Sequence, residues 1–195
     1  LPLDEWSKKR SVMQLYNLTA HIYDVRYADE QKAKIKAALE SLNMHDYGMV
    51  LDVGCGTGFL FEHVAGKAAM TVGLDFSLGT LLKAKKRAHA LRNVHVILAD
   101  ADNMPFKGEI FDFVFAFTLL QNMPNCAKTL EEVKRVAKAG AFVVVTGLKK
   151  AFTLDSFEFL LRNVNFYIAS LKCEGLKCYV AVCIKSPANS WVKPA

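Results

Sequence analysis

The chain is 195 residues long, 52% hydrophobic and 23% charged, with a formal net charge of +6 and a pI near 9.0. Such a chain folds as one domain that buries roughly 70% of its unfolded surface, and its composition excludes a disordered or collagen-like polymer. No apolar run approaches the ~20 residues that cross a bilayer, so no membrane partner is expected.

The five cysteines (Cys55, Cys126, Cys173, Cys178 and Cys183) are odd in number and show no C-x-x-C spacing. A reduced, cytoplasmic chain is the economical expectation. Cys173 and Cys178 can face each other across a hairpin, although core packing accounts for them more simply. Histidines at 21, 45, 63, 89 and 95 are scattered without metal-ligand spacing, so no metal is expected. The positive charge favours an anionic partner. Its densest cluster, Lys83, Lys85, Lys86, Arg87 and Arg92, reads either as a solvated helix face or as a nucleic-acid footprint.

In chain order, residues 4–45 predict two helices. Tyr16, Tyr23 and Tyr27 fall at i, i+7 and i+11, on one stripe of a continuous helix, with His21 and Asp24 flanking it. The stripe serves either to pack an amphipathic helix on the sheet edge or to roof a ligand site with phenols whose hydroxyls stay free to hydrogen-bond. The second helix is expected over Asp29 to Leu42, capped by Asp29, with Lys32, Lys34 and Lys36 on its outer face.

At Met49 the pattern turns to strand–helix alternation, the mark of a parallel sheet. Met49, Val50, Leu51 and Val53 read as a buried strand that breaks into Gly54, Gly56 and Gly58, with Cys55 inside the turn and a helix expected over Phe59 to Lys67. Glycine permits positive φ and close approach of a ligand, and the following helix offers free N–H groups. The third glycine arrives one residue too early for the G-x-G-x-x-G dinucleotide fingerprint. Asp52 at the strand end suits an ammonium group better than a phosphate.

The second strand, Met70 to Leu74, ends in Asp75-Phe76-Ser77, where Ser77 can cap a helix to about Ala90. A carboxylate there accepts from vicinal ribose hydroxyls, and Phe76 can lie against a base. The third strand, Val94 to Ala99, runs into Asp100-Ala101-Asp102-Asn103-Met104-Pro105-Phe106. The fourth, Phe111 to Phe117, ends in Thr118-Leu119-Leu120-Gln121-Asn122-Met123-Pro124. Ligands of open α/β sheets lie beyond the carboxyl ends of the strands, which brings Phe117, Gln121 and Asn122 to the site. A helix over Asn125 to Lys138, a fifth strand over Gly140 to Thr146 and a helix over Leu154 to Asn163 follow. Two final strands, Asn165 to Cys173 and Lys177 to Lys185, are joined through Glu174-Gly175 as a hairpin.

These pieces resemble the class I, Rossmann-like S-adenosylmethionine-dependent methyltransferases. The matching segments are Asp52-x-Gly54-x-Gly56-x-Gly58, Asp75, Asp100-Ala101 with Met104-Pro105-Phe106, and Phe111-Asp112-x-Val114; Lys138-Ala139-Gly140 departs from the usual Lys-Pro-Gly. The resemblance covers residues 45–185. It implies one α/β domain with a doubly wound, seven-stranded, mostly parallel sheet and an antiparallel C-terminal hairpin strand, the sixth and seventh strands reversed and the seventh inserted between the fifth and sixth. Residues 1–45 would be a helical lid, 46–185 the core and 186–195 a loosely held tail.

The implied cofactor is S-adenosylmethionine, leaving as S-adenosylhomocysteine. Asp52, Gly54, Cys55, Gly56 and Gly58 would hold its amino-acid end, Asp75 and Phe76 its ribose and base. Asp100 and the Ala101 N–H would contact the adenine, and Phe117 would lie nearby. Tyr16, Tyr23, Tyr27, Gln121 and Asn122 are the acceptor-side candidates. A positive sulfur is already an excellent leaving group, so alignment of the nucleophile is the main task. His21, Asp24, Tyr23, Gln121 and Asn122 are the weak catalytic candidates. No Asn-Pro-Pro-Tyr-type motif follows the fourth strand, and Cys126 reads as structural. A small-molecule acceptor is expected. RNA bound through Lys149, Lys150 and the Lys83–Arg92 helix is the alternative, as is a cofactor-binding subunit that needs a partner.

Overall fold

The computed structural model describes residues 3–42 and 46–186. Residues 43–45 and all of the expected tail but Ser186 lie outside the described residues.

The N-terminal region is one helix, α1 (Leu3–Leu42), rather than two. No glycine or proline interrupts those 40 residues, so Asp29 sits mid-helix instead of capping a second one. At 1.5 Å per residue, α1 is about 60 Å long. The remaining elements are β1 (Gly48–Val53), α2 (Phe61–Val64), β2 (Ala68–Asp75), α3 (Leu78–His89), β3 (Val94–Leu98), β4 (Phe111–Ala116), α4 (Cys126–Val136), β5 (Ala137–Leu148), α5 (Leu154–Asn163), β6 (Phe166–Lys172) and β7 (Cys178–Lys185).

The expected helix after the glycine turn shrinks to the single turn of α2, which stops short of Gly66. The α4 helix ends early because Ala137 is extended and pairs with Phe111, lengthening β5. Side-chain caps start three helices: Ser77 accepts from the Thr80 N–H, Asn125 from Lys128 and Thr153 from Ser156.

The sheet runs β3-β2-β1-β4-β5-β7-β6. Strands β1 to β5 pair in parallel, and β7 pairs antiparallel with both β5 and β6. Only β7 is therefore reversed; β6 runs with the parallel set, a correction to the expected pair of reversed strands. Alternate strand residues feed two cores. On one face Leu51, Val114, Val143 and Val145 meet Leu130 and Val133 of α4 and Phe157 and Leu161 of α5. On the other, Val50, Phe113, Phe115, Val144 and Val180 meet Ile35, Ala38 and Leu42. The C-terminal part of α1 is thus anchored in the core, and the remainder extends over the carboxyl ends of the strands.

Candidate functional site

The connections after β1 to β4 all open beneath α1, and α1 bonds to each of them. After β1, the Thr57 hydroxyl donates to Asp24 (2.6 Å). After β2, Asn17 Oδ1 accepts from the Ser77 hydroxyl and the Gly79 N–H, both at 2.8 Å. After β3, Lys9 Nζ lies 2.7 Å from Asp100 and 2.6 Å from Asp102. After β4, Lys34 donates to the Thr118 hydroxyl (2.7 Å) and Lys8 to the Met123 carbonyl (3.0 Å).

Under this roof lies a cavity of about 560 Å³, lined by Gly54, Asp75, Phe76, Asp100, Ala101 and Phe117 with Val12, Tyr16 and Tyr23 above them. A smaller recess of about 310 Å³ continues from it past Asp52, Cys55, Phe59 and Gln31. On the other side of Tyr16 and Tyr23 is a trough of about 1470 Å³, whose lining includes Tyr27, Gln121 and Asn122. Tyr23 is shared by all three spaces.

The three strand-end acids differ in state. Asp52 is buried and makes no side-chain hydrogen bond among the described residues. Burial, reinforced by the nearby Asp75 charge, pushes its pKa up to about 8. Asp75 accepts from the Gly56 N–H and the Ser77 N–H, both at 2.8 Å, which ties the glycine turn to the end of β2. Burial raises its pKa despite those bonds. Asp100 accepts from Lys9 with both oxygens and from the Asp102 N–H.

Lys9 was not foreseen. Burial opposes its charge, but Asp100 and Asp102 outweigh that cost and hold its pKa above the ordinary lysine value. Lys34, expected on the outer face of a second helix, is instead 1% exposed and paired with Glu30 at 3.0 Å.

The chain's own residues fit an amino acid joined to a ribose and a purine. Asp52, largely protonated below pH 8 and open to the recess, lacks a cation that a ligand ammonium would supply. Asp75 lines the cavity, where its carboxylate can accept from a ribose hydroxyl. Gly54 lines both the cavity and the recess; its φ is +72°, and a Cβ there would stand 3.0 Å from Leu119 Cδ1. Gly56 and Gly58 line none of the three spaces. Gly58 instead admits the Phe61 ring, which would stand 2.5 Å from a Cβ there.

On the acceptor side, Tyr16 and Tyr23 pack with ring centroids 6.0 Å apart, and Tyr23 and Tyr27 at 4.9 Å. Asn122 donates to the Tyr16 hydroxyl and to the Thr118 carbonyl, both at 3.0 Å, which fixes the orientation of its amide. Gln31 donates to the Tyr23 hydroxyl at 3.0 Å, and Gln121 donates to the Thr118 carbonyl at 2.8 Å. Both phenols accept from an amide and keep their own protons to give. Burial raises the pKa of each, so they are donors and not bases at neutral pH. Thr118, at φ +57°, is a non-glycine residue in left-handed conformation, held by Lys34, Gln31 and the Thr146 hydroxyl.

Two of the catalytic candidates lie away from this place. His21 is exposed, its Nδ1 3.0 Å from the Leu18 carbonyl. Asp24 is committed to Thr57 and to Arg87, whose guanidinium lies 2.8 Å from it and 4.3 Å from the centre of the Phe59 ring. The basic helix α3 is partly spent in the same way, since Lys83 donates to the His21 carbonyl. Lys85, Lys86 and Arg92 remain exposed. The Cys126 thiol donates to the Leu120 carbonyl at 3.2 Å, and burial raises its pKa, against a role as an activated nucleophile.

Comparison with known proteins bears on the family and the fold. Residues 51–145 match a family model described as "Methyltransferase domain". A malonyl-[acyl-carrier protein] O-methyltransferase of a Marinomonas species is 32% identical over 177 residues, covering 84% of this chain and 63% of the relative. A demethylmenaquinone methyltransferase of Staphylococcus epidermidis is 32% identical over 146 residues, covering 71% of this chain and 60% of the relative. The chain thus spans less than two thirds of the length of these curated relatives. Among solved structures, DhpI in complex with S-adenosylhomocysteine superimposes with a TM-score of 0.77 at 21% identity, over 92% of this chain and 97% of DhpI, a likeness of fold.

Proposed function

We propose, from the methyltransferase domain model matched over residues 51–145 and the identity to curated methyltransferases, that the chain is an S-adenosylmethionine-dependent methyltransferase that methylates a nucleophilic O, N or C of a small-molecule acceptor held in the trough beneath α1. The observation that carries the proposal is a shared wall: Tyr16, Tyr23, Thr118 and Asn122 line both the cavity and the trough. A group passed between the two spaces crosses at that wall.

In this reading Asp52 holds the ammonium of S-adenosylmethionine, Asp75 its ribose hydroxyls, and Phe76, Asp100 and Ala101 the adenine. When bound, S-adenosylmethionine supplies a methyl group on a positive sulfur. The protein's work is then orientation and exclusion of water. Tyr16 and Tyr23 donate their remaining hydroxyl protons to the acceptor and leave one of its lone pairs to point at the cofactor cavity. Amides behind them fix their oxygens. No side chain at the wall is set to remove a proton, so the acceptor brings its own lone pair or anion. The curated relatives' names give a malonyl unit on an acyl-carrier protein and a demethylmenaquinone, neither of them an RNA.

The test is incubation of the purified chain with methyl-labelled S-adenosylmethionine and a fractionated cell extract. Label is expected in the small-molecule fraction. Label confined to RNA or protein would overturn the acceptor class. Tight cofactor binding without transfer to any fraction would instead indicate a subunit that needs a partner.

A further inference from the structure

The trough carries more information than its aromatic wall. Four cations line it: Arg26 from α1, Lys149 and Lys150 from the turn after β5, and Lys177 from the approach to β7, all of them exposed. One carboxylate, Glu30, lines it too, but Lys34 at 3.0 Å and Lys177 at 3.5 Å already claim that charge. Lys149 donates to the Cys173 carbonyl (2.7 Å) and sits 5.7 Å above the Tyr179 ring, which holds it in place without neutralising it. Arg26 and Lys150 have no hydrogen-bond or ion-pair partner among the described residues. Leu15, Tyr16, Tyr27 and Leu148 add aromatic and apolar surface to the same lining.

We propose that the acceptor is a small molecule with a flat apolar or aromatic body and an anionic group, a carboxylate or a phosphate, that Arg26 and Lys150 anchor with help from Lys149 and Lys177. This rests on the reading of the trough as the acceptor site. A guanidinium suits the two oxygens of either anion, and lysines add unoriented charge beside it. The anion fixes one end of the acceptor against the outer rim, so that its other end meets Tyr16 and Tyr23. Arg26 is one helical turn beyond Tyr23, so the anchor and the donor share a rigid element.

The probes are 2-naphthoate, 2-naphthyl phosphate and the neutral 2-naphthylmethanol, titrated by NMR or fluorescence into the chain with S-adenosylhomocysteine at low salt. At least one anion is expected to bind ten-fold or more tightly than the alcohol; which anion does so separates the carboxylate from the phosphate. The Arg26→Glu/Lys150→Glu variant should lose that preference while still binding S-adenosylhomocysteine, and Arg26→Gln/Lys150→Gln should lose most of it if charge reversal impairs folding. Anion and alcohol binding within two-fold of each other would overturn the proposal. So would an equal loss in the Lys85→Glu/Lys86→Glu control, which would indicate a diffuse field, or a tRNA that displaces the probe through Arg26 and Lys150. Failure of S-adenosylhomocysteine to bind while naphthoate selectivity persists would sink the cofactor assignment alone.

Discussion

Replacing Lys9 by Met removes the single cation that faces two carboxylates beneath the N-terminal part of α1. Lys9 is 1% exposed, and the side chains of Asp102 and Asp100 are 0% and 24% exposed. Met conserves most of the lysine stem, so the loss is electrostatic: Asp102 keeps the Thr129 hydroxyl at 2.5 Å but is left as a buried charge without a counter-ion. Breaking a buried pair from one side costs about 3–5 kcal/mol. In a domain of this size that lowers Tm by about 6–20 °C, at roughly 2–4 °C per kcal/mol. Thermal and urea unfolding measure the cost. Hydrogen exchange over residues 5–16 shows whether the helix end detaches locally instead. The double variant Lys9→Met/Asp102→Asn should recover at least half of the loss, because the stranded charge goes with its partner. A Lys9→Met protein within about 1 kcal/mol of the parent, with unchanged exchange in that segment, would refute the reasoning.

Three further outcomes concern the strand-end turn that carries Asp52 and Gly54. Asp52, with its pKa near 8, is largely protonated in the free protein below that pH, and a ligand ammonium favours the ionised form. Cofactor affinity should therefore rise between pH 6 and 8, by up to about ten-fold per unit, with proton release detectable by calorimetry in buffers of different ionisation enthalpy; a flat profile contradicts it. For the free protein the sign is opposite: the folded state holds that proton more tightly than the unfolded one, so stability falls as pH rises from about 4 to 8. Asp52→Asn should then stabilise the unliganded chain at pH 8, by of order 1–4 kcal/mol, while it abolishes cofactor binding. Gly54→Ala places a Cβ at φ +72° and 3.0 Å from Leu119, at a cost of about 1–2 kcal/mol in backbone strain, and should weaken S-adenosylmethionine binding at least ten-fold by isothermal titration. A variant that binds normally would show that the turn can shift.

The sheet was legible in the sequence because its signals are local. Apolar runs such as Val50-Leu51 and Val143-Val144-Val145, each ending in a glycine, an acid or a polar turn, mark parallel strands and their carboxyl ends without reference to anything distant. The positions of Asp52, Asp75 and Asp100 follow from that, as does Ser77 as a cap. What escaped was long-range. Lys9 is 91 residues from Asp100 and Lys34 is 84 from Thr118, and nothing local marks a lysine as buried. The one available hint was Asp100 and Asp102 close together, two acids at a strand end that call for a counter-charge. Asp24 and His21 were drawn in as bases by closeness to the tyrosine stripe. On a helix, though, residues one position away from a stripe are turned by about 100°, and these two face α3 and solvent. Thr118 in left-handed conformation gave no signal, because threonine is among the residues least expected there.

Since α1 reaches the connection after each of the first four strands and supplies Arg26 to the rim, its azimuth is common to every grip on the two ligand spaces. Loss or gain of one residue between Lys9 and Lys34 would turn one end by about 100° relative to the other. The lysines at either end, and the tyrosines between, would then no longer point at their partners together. The cavity and the trough are thus kept in phase by a single screw thread, and point substitutions can retune either one where a change of length would strip both.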